Sequence, residues 1–358
     1  MPTQINIKNT PHSPSNLQVK ILQDSLLEWF SSHGRKNLPW QIDKTLYRVW
    51  VSEIMLQQTQ VSTAIPYYLK FLNTFPDILT LANSPLDQVL SHWAGLGYYA
   101  RARNLHKAAI QIKQNHAGNF PNQLDQVLEL PGIGLSTASA ILSISQNQPL
   151  AICDGNVKRV LSRLHCVNSP LNQSITDKIL WDLAKTYMPE KNCADYSQAI
   201  MDLGATLCTQ SKPSCSICPL SSICQAYLTN TQNIYPIPKK PLIKKIKHQT
   251  FLIFVTPTHI LLNQNPPTGI WGGLFTPLLL QNHPELLPHP LDHSLHIYID
   301  KQKHVFTHFD LIYDAYFFKL SQTFSHPYLN SKWHELSTLD TLALPAPIKT
   351  LLNKIINL

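Results

Sequence analysis

The feature that most restricts what this chain can fold into is a set of four cysteines, Cys208, Cys215, Cys218 and Cys224, spaced C-x6-C-x2-C-x5-C. Four thiols this close in the chain can converge on one inorganic centre. The spacing alone fits an iron-sulfur cluster or a tetrahedral zinc site, because both accept four thiolates. A disulfide framework is the poorer reading for a chain of this size, so a reducing compartment is expected. Cys153, Cys166 and Cys193 lie outside the set and read as buried free thiols.

The chain has 358 residues, which at roughly 150 residues per domain suggests two or three domains. Apolar residues make up 44% of it, enough for at least one large core, so wholesale disorder is excluded. The formal net charge is +8, and most of the excess is local. Between Asp202 and Glu285 there is no acid, while Lys212, Lys239, Lys240, Lys244, Lys245 and Lys247 all fall there. Such a stretch suits a polyanion, either nucleic acid or an anionic membrane surface. No apolar run reaches the ~18 residues that a spanning helix needs, and the first residues show no targeting pattern. A soluble, cytoplasmic protein without a membrane partner is therefore expected, as a monomer.

Residues 1–18 are polar and contain proline, and read as a flexible tail. From 19 to 229 the pattern is helical, with apolar positions at 3.6-residue spacing over 17–30, 49–57, 98–112, 135–145, 157–166, 175–187 and 196–207. Ser84-Pro85-Leu86-Asp87 marks a helix start, with Ser84 as N-cap. Residues 230–248 hold prolines and five lysines without clear periodicity, which predicts a basic linker. Beyond it, 249–358 carries short β-rich runs at 251–255, 259–262, 296–299 and 309–320, then a helix near 348–356. The fold class expected is multidomain: a mostly α-helical domain followed by an α+β domain.

Leu130-Pro131-Gly132-Ile133-Gly134 joins two helical stretches, 124–128 and 135–145. Gly132 and Gly134 permit a tight turn whose backbone N–H groups can approach a phosphate at the start of the second helix. Such a device holds DNA without reading its sequence.

A helix-hairpin-helix with this loop, Asp154 about twenty residues later in DGNVKRV, and then the cysteine set together resemble the endonuclease III superfamily of base-excision DNA glycosylases. Within it, LPWQ at 38–41, SEIMLQQTQV at 52–61 and GLGYYARARNLHKAA at 95–109 resemble the adenine-specific MutY branch. TGIWGGLF at 268–275 and FTHF at 306–309 resemble that branch's 8-oxoguanine-reading domain, which is related to the Nudix (MutT) fold. The resemblance covers nearly the whole chain beyond the tail. It implies a 4Fe-4S cluster on the four cysteines that supports a DNA-contacting loop, with Lys212 at a phosphate.

The same resemblance implies which residues act. Releasing adenine requires a protonated base and an anion beside the oxocarbenium-like sugar, and two carboxylates can supply both. Glu53 has Val49, Trp50 and Leu56 around it on its helix, so desolvation should raise its pKa and keep it a general acid. Asp154 is placed to cap the next helix, where N–H groups favour the ionised form, so the pair should be pushed in opposite directions. By the resemblance Glu53 protonates adenine at N7, Asp154 stabilises the sugar cation, and Asn156 helps to hold the site. Ser136 occupies the position where lyase-competent relatives carry a lysine, which implies hydrolysis with at most weak strand cutting. Lys158 remains the amine available for adventitious adducts.

The duplex must give up its base to be read; by the resemblance Gln58 and Tyr98 insert near the opened mispair, with Leu96 in the same loop as Tyr98, and Gly132, Gly134, Ser136 and Lys212 are expected as further DNA contacts. Phe306, Thr307 and His308 match a Phe-Ser-His loop that senses 8-oxoguanine, with Thr in place of Ser keeping the hydroxyl. Residues 249–358 contain only Glu285 and Glu335, so the clustered glutamates of a pyrophosphate-cleaving Nudix enzyme are missing. The expected partner is double-stranded DNA carrying adenine opposite 8-oxoguanine or guanine. The alternatives are another mismatch glycosylase of the same superfamily, or a non-catalytic cluster protein that only binds DNA.

Overall fold

The computed structural model describes residues 13–358 apart from 172, 239–242, 285–295, 325–330 and 357–358. It divides into two compact units, Met1–Leu79 with Lys107–Lys240, and Thr80–His106 with Pro241–Leu358.

The first unit is helical. It comprises α1 (Asn16–His33), α2 (Pro39–Ile42), α3 (Leu46–Leu56) and α4 (Val61–Thr74), and then α8 (Leu124–Leu128), α9 (Leu135–Gln146), α10 (Gly155–Leu164), α11 (Ser174–Tyr187), α12 (Cys193–Thr206) and α13 (Gln225–Leu228). The division between the units falls inside α5 (Ile78–Asn83) and α7 (Ala100–Asn115), and α6 (Leu86–Trp93) lies wholly in the second. Helix α1 begins inside the segment expected to be a tail, because Ser15 and Gln18 form a reciprocal capping box that stops fraying. Helix α9 packs on α12 and on α3, and α12 packs on α1 and α10. Leu22, Leu26, Trp50, Met55, Ile141, Leu142, Ala199 and Leu203 fill the space between them. Leu22 and Leu26 on α1, and Ala199 and Leu203 on α12, recur at four-residue intervals, so each of these helices turns an apolar stripe inward.

Residues 80–106, helical like the domain they were read with, group by their contacts with Pro241–Leu358. Asp87 accepts from Gln264 Nε2 at 2.8 Å, Arg103 Nη1 donates to Gly272 O at 2.6 Å, and Tyr99 Oη reaches Leu344 O at 3.5 Å. The expected cap at Ser84 is also corrected. Pro85 takes the N-cap position of α6, and the Ser84 hydroxyl bonds back to Thr80 O at 2.7 Å.

Among the described residues the second unit also holds a seven-stranded mixed sheet: β1 (Lys245–Val255), β2 (His259–Gln264), β3 (Phe275–Thr276), β4 (Leu278–Leu279), β5 (His296–Val305), β6 (Phe309–Lys319) and β7 (Ser331–Glu335). The main order is β3-β2-β1-β6-β5, with β4 paired to β1 and β7 to β2. β1 and β6 run parallel over eleven residue pairs, from Lys245↔Phe309 to Val255↔Lys319. That pairing draws residues 245–248 out of the expected linker into strand, since a parallel ladder satisfies their backbone groups whatever their charge. Residues 251–255 are continuously buried, as befits a central strand covered on both faces. Leu252, Phe254, Leu261, Leu278 and Phe318 form one cluster on it. Ile348, Leu351 and Leu352 of α14 (Ala346–Ile356) are buried too.

Candidate active site

Within the helical unit a cavity of about 980 Å³ opens between α3, the hairpin helix α9 and the α10 N-terminus. Glu53, Gln58, Ser136, Asp154 and Asn156 all line it, although Glu53 and Asp154 lie about a hundred residues apart in the chain. Glu53 faces it from α3, whose N-cap Thr45 accepts from Arg48 N. Val49 and Trp50 are buried beside it, and Leu56 lines the same cavity. Burial, and secondarily the charge of Asp154, push the Glu53 carboxyl from 4.5 to about 8. At neutral pH it therefore carries its proton.

Asp154 is the N-cap of α10, and its Oδ1 accepts from Val157 N at 2.8 Å. Its other oxygen accepts from Asn156 Nδ2 at 3.1 Å. The expectation that this carboxyl is pushed downward does not hold. Burial outweighs the donors and raises Asp154 as well, while the N–H groups of Val157 and Asn156, the Arg159 charge and the Asn156 side chain all pull the other way. What separates the two acids is the company they keep. Asp154 has hydrogen-bond donors and a guanidinium that favour its anion, whereas Glu53 feels burial and a neighbouring negative charge.

Arg159 was not anticipated in this role. Its Nη2 donates to Asn156 Oδ1 at 2.8 Å and to Gly204 O at 2.6 Å, and its Nε to Cys208 O at 2.7 Å. One guanidinium thus ties the residue beside Asp154 to the first cysteine of the set. Gly204 has the same origin: a Cβ there would stand 2.6 Å from the Asn156 Cβ, so α12 can approach α10 only without a side chain. Arg35, Gln41 and Gln198 also line the cavity. Arg35 pairs with buried Asp202 at 2.6 Å, and Gln41 Nε2 donates to Gln198 Oε1 at 2.6 Å. The polar types of Gln41 and Gln198 at buried helix positions were the signal available in the sequence.

Around this cavity the other expected residues fall as follows. Gln58 is exposed at its rim with φ +57°, just beyond α3. Gly132 has φ +82°, which the turn between α8 and α9 requires, and Gly134 is the N-cap of α9. The Ser136 hydroxyl accepts from Cys153 N at 3.0 Å. Lys158 is held in an ion pair with Asp177 at 2.6 Å.

No disulfide joins the four cysteines, nor Cys153, Cys166 or Cys193. All four line one small cavity of about 20 Å³ with Arg163, Tyr227 and Gln232. Arg163 is buried and donates through Nη1 to Cys208 Sγ at 3.3 Å, while it also holds the carbonyls of Thr209, Gln210, Gln232 and Tyr235. A cationic donor at a sulfur matches a centre that binds thiolates. Among the described residues no group of three His, Cys, Asp or Glu side chains meets the demands of a metal ion. Lys212, exposed between the first two cysteines, has its carbonyl capped by the Thr209 hydroxyl at 2.8 Å.

In the second unit the loop after α6 carries Leu96 and Tyr98. Gly95 at φ +106° and Gly97 at φ +73° let it turn, and Arg101 Nη2 holds the carbonyls of Leu96 and Gly97. Leu96 is only 7% exposed, so its side chain is buried here beneath the loop. Tyr98 is 47% exposed at φ +51°. Its hydroxyl lies 3.1 Å from that of Thr307. Residues 306–308 form the turn between β5 and β6, closed by Phe306 N donating to Phe309 O at 2.9 Å. The Phe306 ring stacks on Phe309 with centroids 4.5 Å apart, which leaves Thr307 and His308 exposed at the tip.

A model of the HhH-GPD superfamily of base excision DNA repair proteins matches residues 51–186, and a NUDIX domain model matches 249–354. The adenine DNA glycosylase of Buchnera aphidicola subsp. Baizongia pistaciae (strain Bp) is 40% identical over 348 residues, 94% of this chain and 97% of its own. The Rattus norvegicus adenine DNA glycosylase is 39% identical over 232 residues, 61% of this chain and 45% of that one. A thermostable thymine-DNA glycosylase structure matches with a TM-score of 0.55 at 26% identity, over 60% of this chain and 98% of its own. An endonuclease III–DNA complex shares the fold at a TM-score of 0.52 and 19% identity, over 61% of this chain and 99% of that one.

Proposed function

This chain belongs to the adenine DNA glycosylase family, N-glycosylases of base-excision DNA repair, and we propose that it removes adenine opposite 8-oxoguanine or guanine in double-stranded DNA and leaves an abasic site. The observation that carries the proposal is the meeting of Glu53 and Asp154 in one 980 Å³ cavity, one acid held protonated and the other surrounded by donors.

In this reading Glu53 gives its proton to N7 of an extruded adenine as the bond to C1′ breaks, and the bond's electron pair leaves with the base. Asp154 stabilises the sugar cation, as an ion pair or through a transient covalent bond. Water then adds to C1′ and its proton restores Glu53. Asn156, oriented by Arg159, fixes the Asp154 carboxylate. Ser136, bonded to Cys153 N, offers no amine to attack the sugar, and Lys158 is engaged by Asp177, so the strand stays essentially uncut. Gly132, Gly134 and Lys212 hold phosphates, Gln58 and Tyr98 occupy the opened mispair, and Phe306, Thr307 and His308 sense 8-oxoguanine.

The four cysteines suit a 4Fe-4S cluster, on the strength of their shared cavity and the Arg163 donor at Cys208. Cys208, Cys215, Cys218 and Cys224 would hold it, and it would supply an anchor for the loop that presents Lys212. The protein works as a cytoplasmic monomer. No described helix is long and apolar enough to cross a membrane.

The test is incubation of the full chain with duplexes carrying each mispair and identification of the liberated base. Adenine should appear from pairs with 8-oxoguanine and guanine. Release of thymine, or of an oxidised pyrimidine instead, would overturn the proposal.

A further inference from the structure

The turn between β5 and β6 is gripped by a residue that the chemistry above leaves out. Lys244 stands just before β1, and in the sequence it reads as one more charge of the basic linker. Its Nζ donates to Phe306 O at 2.8 Å, across 62 positions of chain. Phe306 N already donates to Phe309 O at 2.9 Å. Both backbone polar groups of Phe306 are therefore committed. With its carbonyl fixed, the planar peptide between Phe306 and Thr307 is fixed as well.

The ring of the same residue is no freer. Its centroid lies 4.5 Å from that of Phe309, 4.7 Å from His304 and 5.9 Å from Trp271. Lys247 Nζ stands 4.6 Å from the Phe309 centroid, a second cation against the stack. Asp310 aims Lys244. Its Oδ2 pairs with Lys303 at 2.6 Å, while its Oδ1, buried and without a hydrogen-bond partner among the described residues, faces Lys244 Nζ at 3.9 Å. The Asp310 side chain is 17% exposed, so its charge is screened less than a surface charge and draws Lys244 toward the turn instead of into solvent.

Guanine and 8-oxoguanine differ at N7, which gains a hydrogen, and at C8, which gains an oxygen. Telling them apart demands groups held to within about 0.5 Å. We propose that Lys244 is a positioning residue for base preference: by fixing Phe306 O it holds Thr307 and His308 where the two bases can be distinguished. The inference rests on the reading in which residues 306–308 sense 8-oxoguanine.

The full chain is compared with Lys244→Met, Lys244→Arg, Lys245→Met and the double change of Phe306→Ala with His308→Ala. Single-turnover adenine release opposite 8-oxoguanine and opposite guanine is measured for each, with duplex affinity against salt and the melting midpoint. Lys244→Met should lower the ratio of the two rates about fivefold at an unchanged midpoint, the scale of one charge-assisted bond at a partly exposed site. Lys244→Arg keeps a cationic donor and should restore most of the ratio. Lys245→Met removes the same charge one residue along, from a side chain that makes none of these contacts, and should keep the parental ratio. The proposal is overturned by a parental ratio in Lys244→Met, by an equal fall in Lys245→Met, or by failure of Lys244→Arg to restore the ratio. A uniform loss of affinity for matched and mismatched duplexes, with a shallower salt dependence and an unmoved ratio, would instead make Lys244 a phosphate contact and overturn it too. If the ratio also survives the double change at 306 and 308, the turn is not the reader and both readings fall. If only Lys244→Met leaves it unmoved, the turn stands and the positioning role alone falls.

Discussion

Replacing Glu53 by glutamine should separate the acid's contribution to chemistry from its cost to folding. In the unfolded chain its carboxyl titrates at the ordinary 4.5, but in the fold at about 8. Such a raised carboxylate leaves stability intact below the unfolded value and removes it progressively as pH climbs toward the folded value. At pH 7 the gap of about 2.5 pH units corresponds to roughly 3 kcal/mol, and at pH 5 to under ~1 kcal/mol. Glutamine has nearly the same shape and no charge to desolvate. Glu53→Gln should therefore be more stable than the parent by up to about 3 kcal/mol at pH 7, with the advantage shrinking toward pH 5. Urea melts of both proteins at pH 5, 6, 7 and 8 read this directly. Single-turnover adenine release should meanwhile fall by about 100-fold or more, the usual worth of a general acid. In the parent, the rate should decline as pH rises through about 8, where Glu53 loses its proton. A stability difference that is the same at every pH, or a variant that releases adenine at the parental rate, would refute the assignment.

Three further outcomes are expected. Because Ser136 stands where an amine would attack, the product strand should remain intact until alkali is added, and efficient cleavage without alkali on a denaturing gel would contradict this. Phe306→Ala combined with His308→Ala should reduce the preference for 8-oxoguanine over guanine opposite adenine, read as a ratio of single-turnover rates, since the Phe306 ring supports the exposed turn; an unchanged ratio would exonerate the turn. Gly204→Ala should lower adenine release about tenfold or more and reduce thermal stability, because its methyl group would meet the Asn156 Cβ at 2.6 Å and displace the partner of Asp154. A parental rate and melting midpoint would show that α10 and α12 can yield there.

Much of this molecule was legible from residue order because the signals are local. Apolar spacing set the helices of the first unit, Asp154 before a helical stretch announced a cap, and the cysteine spacing announced a shared centre. Each depends on neighbours within a few positions, where helix geometry and capping chemistry operate. The segments that departed from expectation answer to distant partners. Residues 245–248 read as linker and became strand because β6, more than sixty positions away, offers a parallel ladder. The departure at the start of α6 is local: Ser84 read as the cap of α6, and Pro85 takes that position while the Ser84 hydroxyl bonds back to Thr80 O.

The same distinction holds in the active site. Residue order determined that an acid among apolar neighbours and an acid at a helix start were both present, since those are properties of single helices. Only tertiary packing decided that α3 and α10 aim them into one cavity, that Arg159 and Gly204 bind that cavity to the cysteine loop, and that burial raises both carboxyls instead of one. Desolvation and Coulomb interaction depend on how much protein surrounds a charge in space and on which charges lie beside it. Sequence spacing reports neither quantity until the helices have met.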